Sequence, residues 1–455
     1  MLNSPSLPQK LCELFIIKYL YTLVSYIILH DMWYQGSGGY HIDFSIWKEL
    51  VASAVFLVIC RFYLKLTFKN TFVRNLMHVL FLLYFIPMNC AFGLNNASWM
   101  FFILTTLYML LVMFALSKAT HWLKNISLPS KIQPARTSFL GSRALRLLGL
   151  SICLFLIIHK LCYNGLDFSL SIDSDYVYGH RAAYQEYLNS FAGTPFAYLL
   201  TIVQNLANLA VPVFLLASLL HRRWADLAVG LVCTLCRYAL SSEKSILFIL
   251  FFVAGIYLLS RYRLAKHFRR LVTLGMIALL GFCLVEYLIR GESTVFLLLV
   301  RREMYIPTWL NTMYYDFFSE NSKVLWTQNV FLLQNILSPV YDVPPLTLIS
   351  NAFFAGQVPS PNTGLFAEAY MHFGVFGVIL YPALLAVLFG FSGKVLERYG
   401  AAAQMLLALL VTMRMTNVPI TRTDFVLSYV LFVVLLFVFQ WLDFSAIFRK
   451  HKRKK

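Results

Sequence analysis

Residues 425–442 read FVLSYVLFVVLLFVFQWL, eighteen consecutive positions without a charge. Residues 246–260 read ILFILFFVAGIYLLS and are equally free of charge. A helix that spans a bilayer needs about 20 apolar residues. Both stretches meet or approach that length, and similar runs recur along the chain.

Composition points the same way. Of 455 residues, 60% are hydrophobic and 13% charged, with a mean hydropathy of +0.70. Soluble domains carry roughly 25% charged residues. A water-soluble core of this size cannot absorb that apolar excess, whereas lipid can. Spans are expected near residues 14–30, 47–64, 76–93, 99–117, 147–163, 195–219, 224–240, 245–260, 271–289, 373–391, 400–417 and 425–442. The expected fold class is therefore all-α: a polytopic integral membrane protein of about 12 transmembrane helices, with residues 1–455 forming a single membrane domain.

The net charge of +18 is not spread as in a nucleic-acid binder. Its cations fall in short clusters between apolar runs, where the positive-inside rule places them. The clusters Arg61 to Arg74, Lys118 to Arg146, Arg222 and Arg223, Arg261 to Arg270, Lys394 and Arg398, and Arg449 to Lys455 alternate along the connections. With Lys10 they hold 26 of the 38 Lys and Arg, and 16 of the 20 acids lie on or toward the other side. Every connection agrees with a chain whose two termini are cytoplasmic. The basic tail suits anionic headgroups, at about 1 kcal/mol per charge. The first run is expected to be a retained helix, since no small-residue cleavage site follows it. The eight cysteines lie in or beside apolar runs, so no disulfide framework is expected, and Cys233 and Cys236 read as packing residues.

Two outward connections are long: residues 164–194 and residues 290–372. Loops of that length are usually functional or disordered. The larger one carries enough aromatic residues to be ordered, and its stretch STVFLLLVRREMYIPTWLNTMYYDFF (residues 293–318) reads as an amphipathic helix near the membrane surface.

Four groups on this side carry candidate chemistry. Ser241 to Ser245 forms a hinge that would aim Lys244 at an anion; the bland alternative is a simple turn. Arg290, Arg301 and Arg302 oppose the topological bias, and arginine suits bidentate contact with phosphate oxygens. Ion pairs with Glu292, Glu303 or Asp316 are the alternative. Tyr178 and Arg181 sit among acids in the first long loop, where a solvated surface pair is equally in keeping. Finally, Asn362 or Thr363 is expected to cap a helix running unbroken to Phe391, about 43 Å long at 1.5 Å per residue. Such a helix would project outward, with Glu368 and His372 on exposed turns of one face. A carboxylate beside an imidazole is a candidate general-base pair, or an ordinary helix-surface contact. No nucleotide-binding loop, metal-ligand signature or nucleophile elbow is present, so neither metal nor cofactor is expected.

In order along the chain, several of these pieces resemble the Wzy-type oligosaccharide repeat-unit polymerases of bacterial surface polysaccharide synthesis. They are the Tyr178 and Arg181 pair, the Lys244-Ser245 step after a span, RREMYIPTWLNTMYYDFF with Arg301 and Pro307, and Asn362 leading into EAYMHFGVFG. The resemblance covers roughly residues 165–395, and the first four spans match in hydropathy alone.

The resemblance implies a metal-independent, inverting glycosyltransferase of the GT-C type, in the bacterial cytoplasmic (inner) membrane with its active face extracytoplasmic. Donor and acceptor would be undecaprenyl-diphosphate-linked oligosaccharides on the outer leaflet, with a chain-length regulator and a flippase as further partners. Arg301, Arg302, Arg181, Arg290 and Lys244 would hold the diphosphate, and Glu368 or His372 would take the acceptor proton. Tyr178, Tyr305, Trp309, Tyr315 and Asn362 would line the glycan path. Two rivals remain: an O-antigen ligase, sharing fold and donor, and a polysaccharide transporter or flippase. The transporter predicts internal repeats and broken mid-membrane helices, and no repeat is evident.

Overall fold

The computed structural model describes residues 6–34, 42–122, 139–167, 174–356 and 361–441. Of these, 83% are helical and none forms a strand. Ten segments among the described residues are long and apolar enough to cross a membrane. The chain is a multi-pass, all-helical membrane protein.

In order, the helices are α1 (Leu7–Tyr34), α2 (Ile46–Lys65), α3 (Thr71–Leu94), α4 (Trp99–Trp122), α5 (Arg143–Asn164), α6 (Ser174–Asn189), α7 (Pro195–Leu220) and α8 (Trp224–Ser241). They continue with α9 (Lys244–Arg261), α10 (Phe268–Arg290), α11, α12 (Pro345–Phe354), α13 (Phe366–Leu396), α14 (Gly400–Asn417) and α15 (Thr423–Gln440). Helix α11 is π-helical over Phe296–Tyr305 and α-helical over Ile306–Glu320. Helix α2 has the length of a span but carries Lys48, Glu49, Arg61 and Lys65, and is not among the ten. One of the ten, Phe366–Asn417, contains both α13 and α14, joined by the short turn Glu397–Tyr399.

Local sequence sets several starts. Asn70 Oδ1 accepts from Val73 N at the head of α3, and Thr194 Oγ1 accepts from Ala197 N at the head of α7, where Pro195 occupies the first turn. Both are ordinary N-terminal signals. The apolar surface explains the rest. Only Ile246, Val253 and Ile256 of α9 are buried, while Phe251 is 72% exposed. A soluble protein would have no use for such a face; lipid covers it.

The chain folds as two compact units. The first comprises Met1–Asn125, His267–Gly393 and Val411–Thr423; the second comprises Ile126–Lys266, Lys394–Leu410 and Asp424–Lys455. In the first, α3 is the buried centre and α1 packs along α10. Lys18 of α1 and Glu49 of α2 form a buried ion pair of 2.5 Å there. In the second, α5 packs on α7 and α8, and Arg146 grips Asp226 through Nε (2.6 Å) and Nη2 (2.9 Å).

Within each unit the connections bond to one another in two separate sets. In the first unit Asn96 donates to Asp43 (2.6 Å), Ser45 N to Gly93 O (2.8 Å), Asn95 to the Tyr305 hydroxyl (3.2 Å) and Phe331 N to Thr421 O (2.8 Å). All belong to segments that charge assigned to the outside. From the opposite set, His78 Nε2 meets Arg269 O at 2.9 Å. In the second unit Arg223 donates to Gly141 O (3.0 Å) among the connections assigned to the cytoplasm.

Helix α13 departs from the expected unbroken rod. Gly374 stands at φ 57°, ψ −134°, a conformation open to glycine, and the helix breaks there. Gly377 meets the Ala369 carbonyl where a Cβ would sit, so the leading segment packs tightly against the rest. Glu368 and His372 are consequently not on exposed turns: they are 1% and 0% exposed. The segment folds into the first unit because its carbonyls and side chains find partners on the neighbouring loops.

Candidate functional site

The leading segment of α13 is held by three strands of irregular chain and by α11. The break at Gly374 releases carbonyls, and two of them accept from the preceding loop: Met371 O from Val324 N (3.0 Å) and His372 O from Leu325 N (3.2 Å). That loop is strained. Leu325, Trp326, Asn329 and Leu332 all have φ between 52° and 66°, each a cost of order 1 kcal/mol that the surrounding contacts must offset.

The expected cap by Asn362 or Thr363 does not form on the first N–H groups of α13. The helix starts only at Phe366, too far on for either to reach. Instead Phe366 N donates to the Tyr84 hydroxyl (3.2 Å) and Ala367 N to Asn311 Oδ1 (2.8 Å). Asn311 is fully buried; it also accepts from Tyr84 (2.9 Å) and donates to Thr363 Oγ1 (3.0 Å) and Pro307 O (2.5 Å). One asparagine thus ties α3, α11 and α13 together.

Glu368 is a clamp on the α14–α15 connection. Its Oε2 accepts from Ile420 N (2.6 Å), and its Oε1 from Thr421 N (3.0 Å) and Thr421 Oγ1 (2.6 Å). Three donors compensate the burial of this carboxylate and occupy most of its acceptor capacity. His372 sits one turn away, but the two have different partners. His372 Nδ1 accepts from Trp326 N at 3.2 Å. The neutral ring must then carry its proton on Nε2, and that buried atom has no partner among the described residues. The Trp326 indole donates to the Tyr381 hydroxyl (3.0 Å), and the Tyr381 ring lies parallel to His372 (centroids 6.4 Å, 10°). His372 therefore offers a hydrogen-bond donor, not a free base.

Arg301 and Arg302 lie on the π-helical part of α11, Arg301 partly buried and Arg302 exposed. Glu303 follows. Its Oε2 accepts from Asn417 Nδ2 (3.1 Å) at the end of α14, next to the loop that Glu368 clamps. Burial pushes the Glu303 carboxyl up to about 7, against the opposing pull of Arg302 and Asn417. Arg422, from the same loop, donates to Asn362 Oδ1 (2.5 Å). Arg290 stands apart at the end of α10, 59% exposed and 3.5 Å from Glu286. Its guanidinium is open to solvent, which screens the pair.

In the second unit Arg181 and Lys244 meet at one hairpin. Helix α8 ends where Ser242 takes φ 50°, and α9 starts at Lys244. Arg181 of α6 donates from Nε to Ser241 O (2.9 Å) and from Nη2 to Ser242 O (3.0 Å). Arg237, one turn earlier in α8, is buried and donates to Asn208 Oδ1 (2.5 Å).

The expected glycan-lining aromatics are largely engaged with protein. Tyr305 is 1% exposed and bonds Asn95; Trp309 meets the Phe354 ring edge-on; Tyr315 lies between Phe101 and Tyr370. Their place in an apolar face of α11 accounts for this. Tyr178 falls in α6, its side chain outside the described residues.

Sequence reading passed over Arg422, Asn417, Asn311, Trp326 and Arg237. Arg422 bore the same signal as Arg301, a cation in a connection assigned to the cation-poor side. Asn311 and Trp326 bore none, because only the tertiary fold brings them to α13. Comparison with family models, curated proteins and solved structures finds no match to this chain.

Proposed function

We propose that this protein polymerises a bacterial surface polysaccharide on the outer leaflet of the cytoplasmic membrane. It would transfer a growing glycan from undecaprenyl diphosphate to a new lipid-linked repeat unit. In this reading the fold is of the GT-C type. Its twelve spans are the ten apolar segments, with Phe366–Asn417 counted as two and α2 added. Both termini lie in the cytoplasm, with residues 290–372 outside.

One observation carries the reading. The connections assigned to the cation-poor side bear Arg290, Arg301, Arg302, Arg422, Arg181 and Lys244, and in the first unit Glu303, the residue after Arg301 and Arg302, bonds Asn417 just before the loop that Glu368 clamps. Cations that oppose the topological bias require another cause; several hold protein groups, Arg181 at Ser241 and Ser242 and Arg422 at Asn362, and a diphosphate headgroup is the ligand this reading gives to Arg301 and Arg302.

The chemistry follows from those parts. The acceptor hydroxyl oxygen attacks the anomeric carbon of the donor glycan as the bond to the diphosphate oxygen breaks. Negative charge then grows on the leaving diphosphate, where guanidinium groups stabilise it most. Glu368 fixes the 420–422 loop and so the position of Arg422. His372, fully buried, holds the preceding loop through Trp326 N.

The test is complementation of a deletion strain. Arg301→Ala and Arg302→Ala are each expected to abolish long-chain polysaccharide at a normal protein level. Ladders retained in both would remove these arginines from the mechanism. A ligase would attach glycan once, without restoring a ladder.

A further inference from the structure

We infer that Glu303 is the group that takes the proton from the acceptor hydroxyl, in place of Glu368 or His372. The inference rests on the glycosyl-transfer reading above.

Neither of the other two groups offers an accessible lone pair. Glu368 is fully buried, and its two oxygens receive three donors from residues 420 and 421. A substrate hydroxyl cannot reach it without opening the loop that these bonds hold. His372 spends its Nδ1 lone pair on Trp326 N, so its Nε2 already bears hydrogen. It can donate a hydrogen bond but has nothing with which to accept a proton.

Glu303 differs on each count. It is half-buried, where Glu368 is fully buried. A single donor, Asn417 Nδ2 at 3.1 Å, touches its Oε2, and that amide is shared with Met413 O (2.9 Å). Oε1 takes no hydrogen bond among the described residues. Arg302 lies near enough to act electrostatically on the carboxylate, so an anionic group held by that arginine would lie in the same neighbourhood. The backbone supplies a second, independent pointer. Residues Phe296–Tyr305 are π-helical, an arrangement that costs hydrogen-bond quality and recurs at functional sites.

The step balances. The Glu303 carboxylate takes the hydroxyl proton, and the oxygen forms the new glycosidic bond. The bond from the anomeric carbon to the diphosphate breaks, with its electron pair leaving on undecaprenyl diphosphate. Glu303 then returns its proton to water.

The experiment uses the full chain in lipid nanodiscs with lipid-linked single repeats extracted from the deletion strain. Binding of undecaprenyl diphosphate alone is measured in parallel. Glu303→Gln is expected to slow transfer at least ~100-fold, with undecaprenyl diphosphate binding within about twofold of wild type. Glu303→Asp, which keeps the carboxylate, is expected to recover part of the rate. Wild-type transfer by Glu303→Gln overturns the assignment. So does a Glu303→Gln variant that loses undecaprenyl diphosphate binding along with transfer, which would mark the residue as structural. A wild-type protein that forms no ladder overturns the glycosyl-transfer reading itself, and the base with it.

Discussion

At the residue scale, function depends on which lone pairs remain free. Glu368 and His372 were legible in the sequence as a carboxylate and an imidazole four positions apart. Their roles were not legible, because those are set by backbone N–H groups of Trp326, Ile420 and Thr421, distant in the chain. Glu303 titrates where it matters. Burial holds its carboxyl up to about 7, with Arg302 on its own helix and the Asn417 amide of α14 opposing the shift. A carboxyl raised in this way is protonated below that pH and is a base above it. Transfer should therefore fall about tenfold per pH unit below about 7 and level off above it. The residual rate of Glu303→Gln should show no such inflection. A wild-type profile flat from pH 5 to 8 would count against the carboxyl.

At the element scale, the break in α13 creates the site. Hydropathy marked residues 373–391 as apolar, within the candidate segment Phe366–Asn417, but gave no sign of the break, since Gly374 lies within an apolar FGVFG run. An alanine there would face φ 57° with Lys323 Cε 3.0 Å from its Cβ. Gly374→Ala is expected to lower stability by about 1–3 kcal/mol, and transfer should fall with it, as Met371 O and His372 O lose register with residues 324 and 325. Thermal unfolding in detergent and the ladder assay check this together. An unchanged melting temperature would mean that the break carries no structural weight. The hairpin at Ser241 to Lys244 was readable from its polar residues between two apolar runs. Arg181 as the side chain that grips it was not, since nothing local requires that contact.

At the scale of the whole molecule, lipid explains what water cannot. The exposed apolar faces of α9 and α10, and a hydropathy pattern that produced the helices in order, follow from apolar runs alone. The sidedness of the connections rests on charge alone. Chemistry was the least legible level, because the candidate side chains come from connections far apart in the sequence and share no motif spacing. What remains is cationic residues on a side that should lack them.

Deletion of the gene, followed by analysis of surface polysaccharide and lipid-linked intermediates, tests that chemistry most directly. The account predicts that single repeats on undecaprenyl diphosphate accumulate at the outer leaflet while long chains disappear. Long chains of normal length, or repeats trapped on the cytoplasmic leaflet, would contradict it.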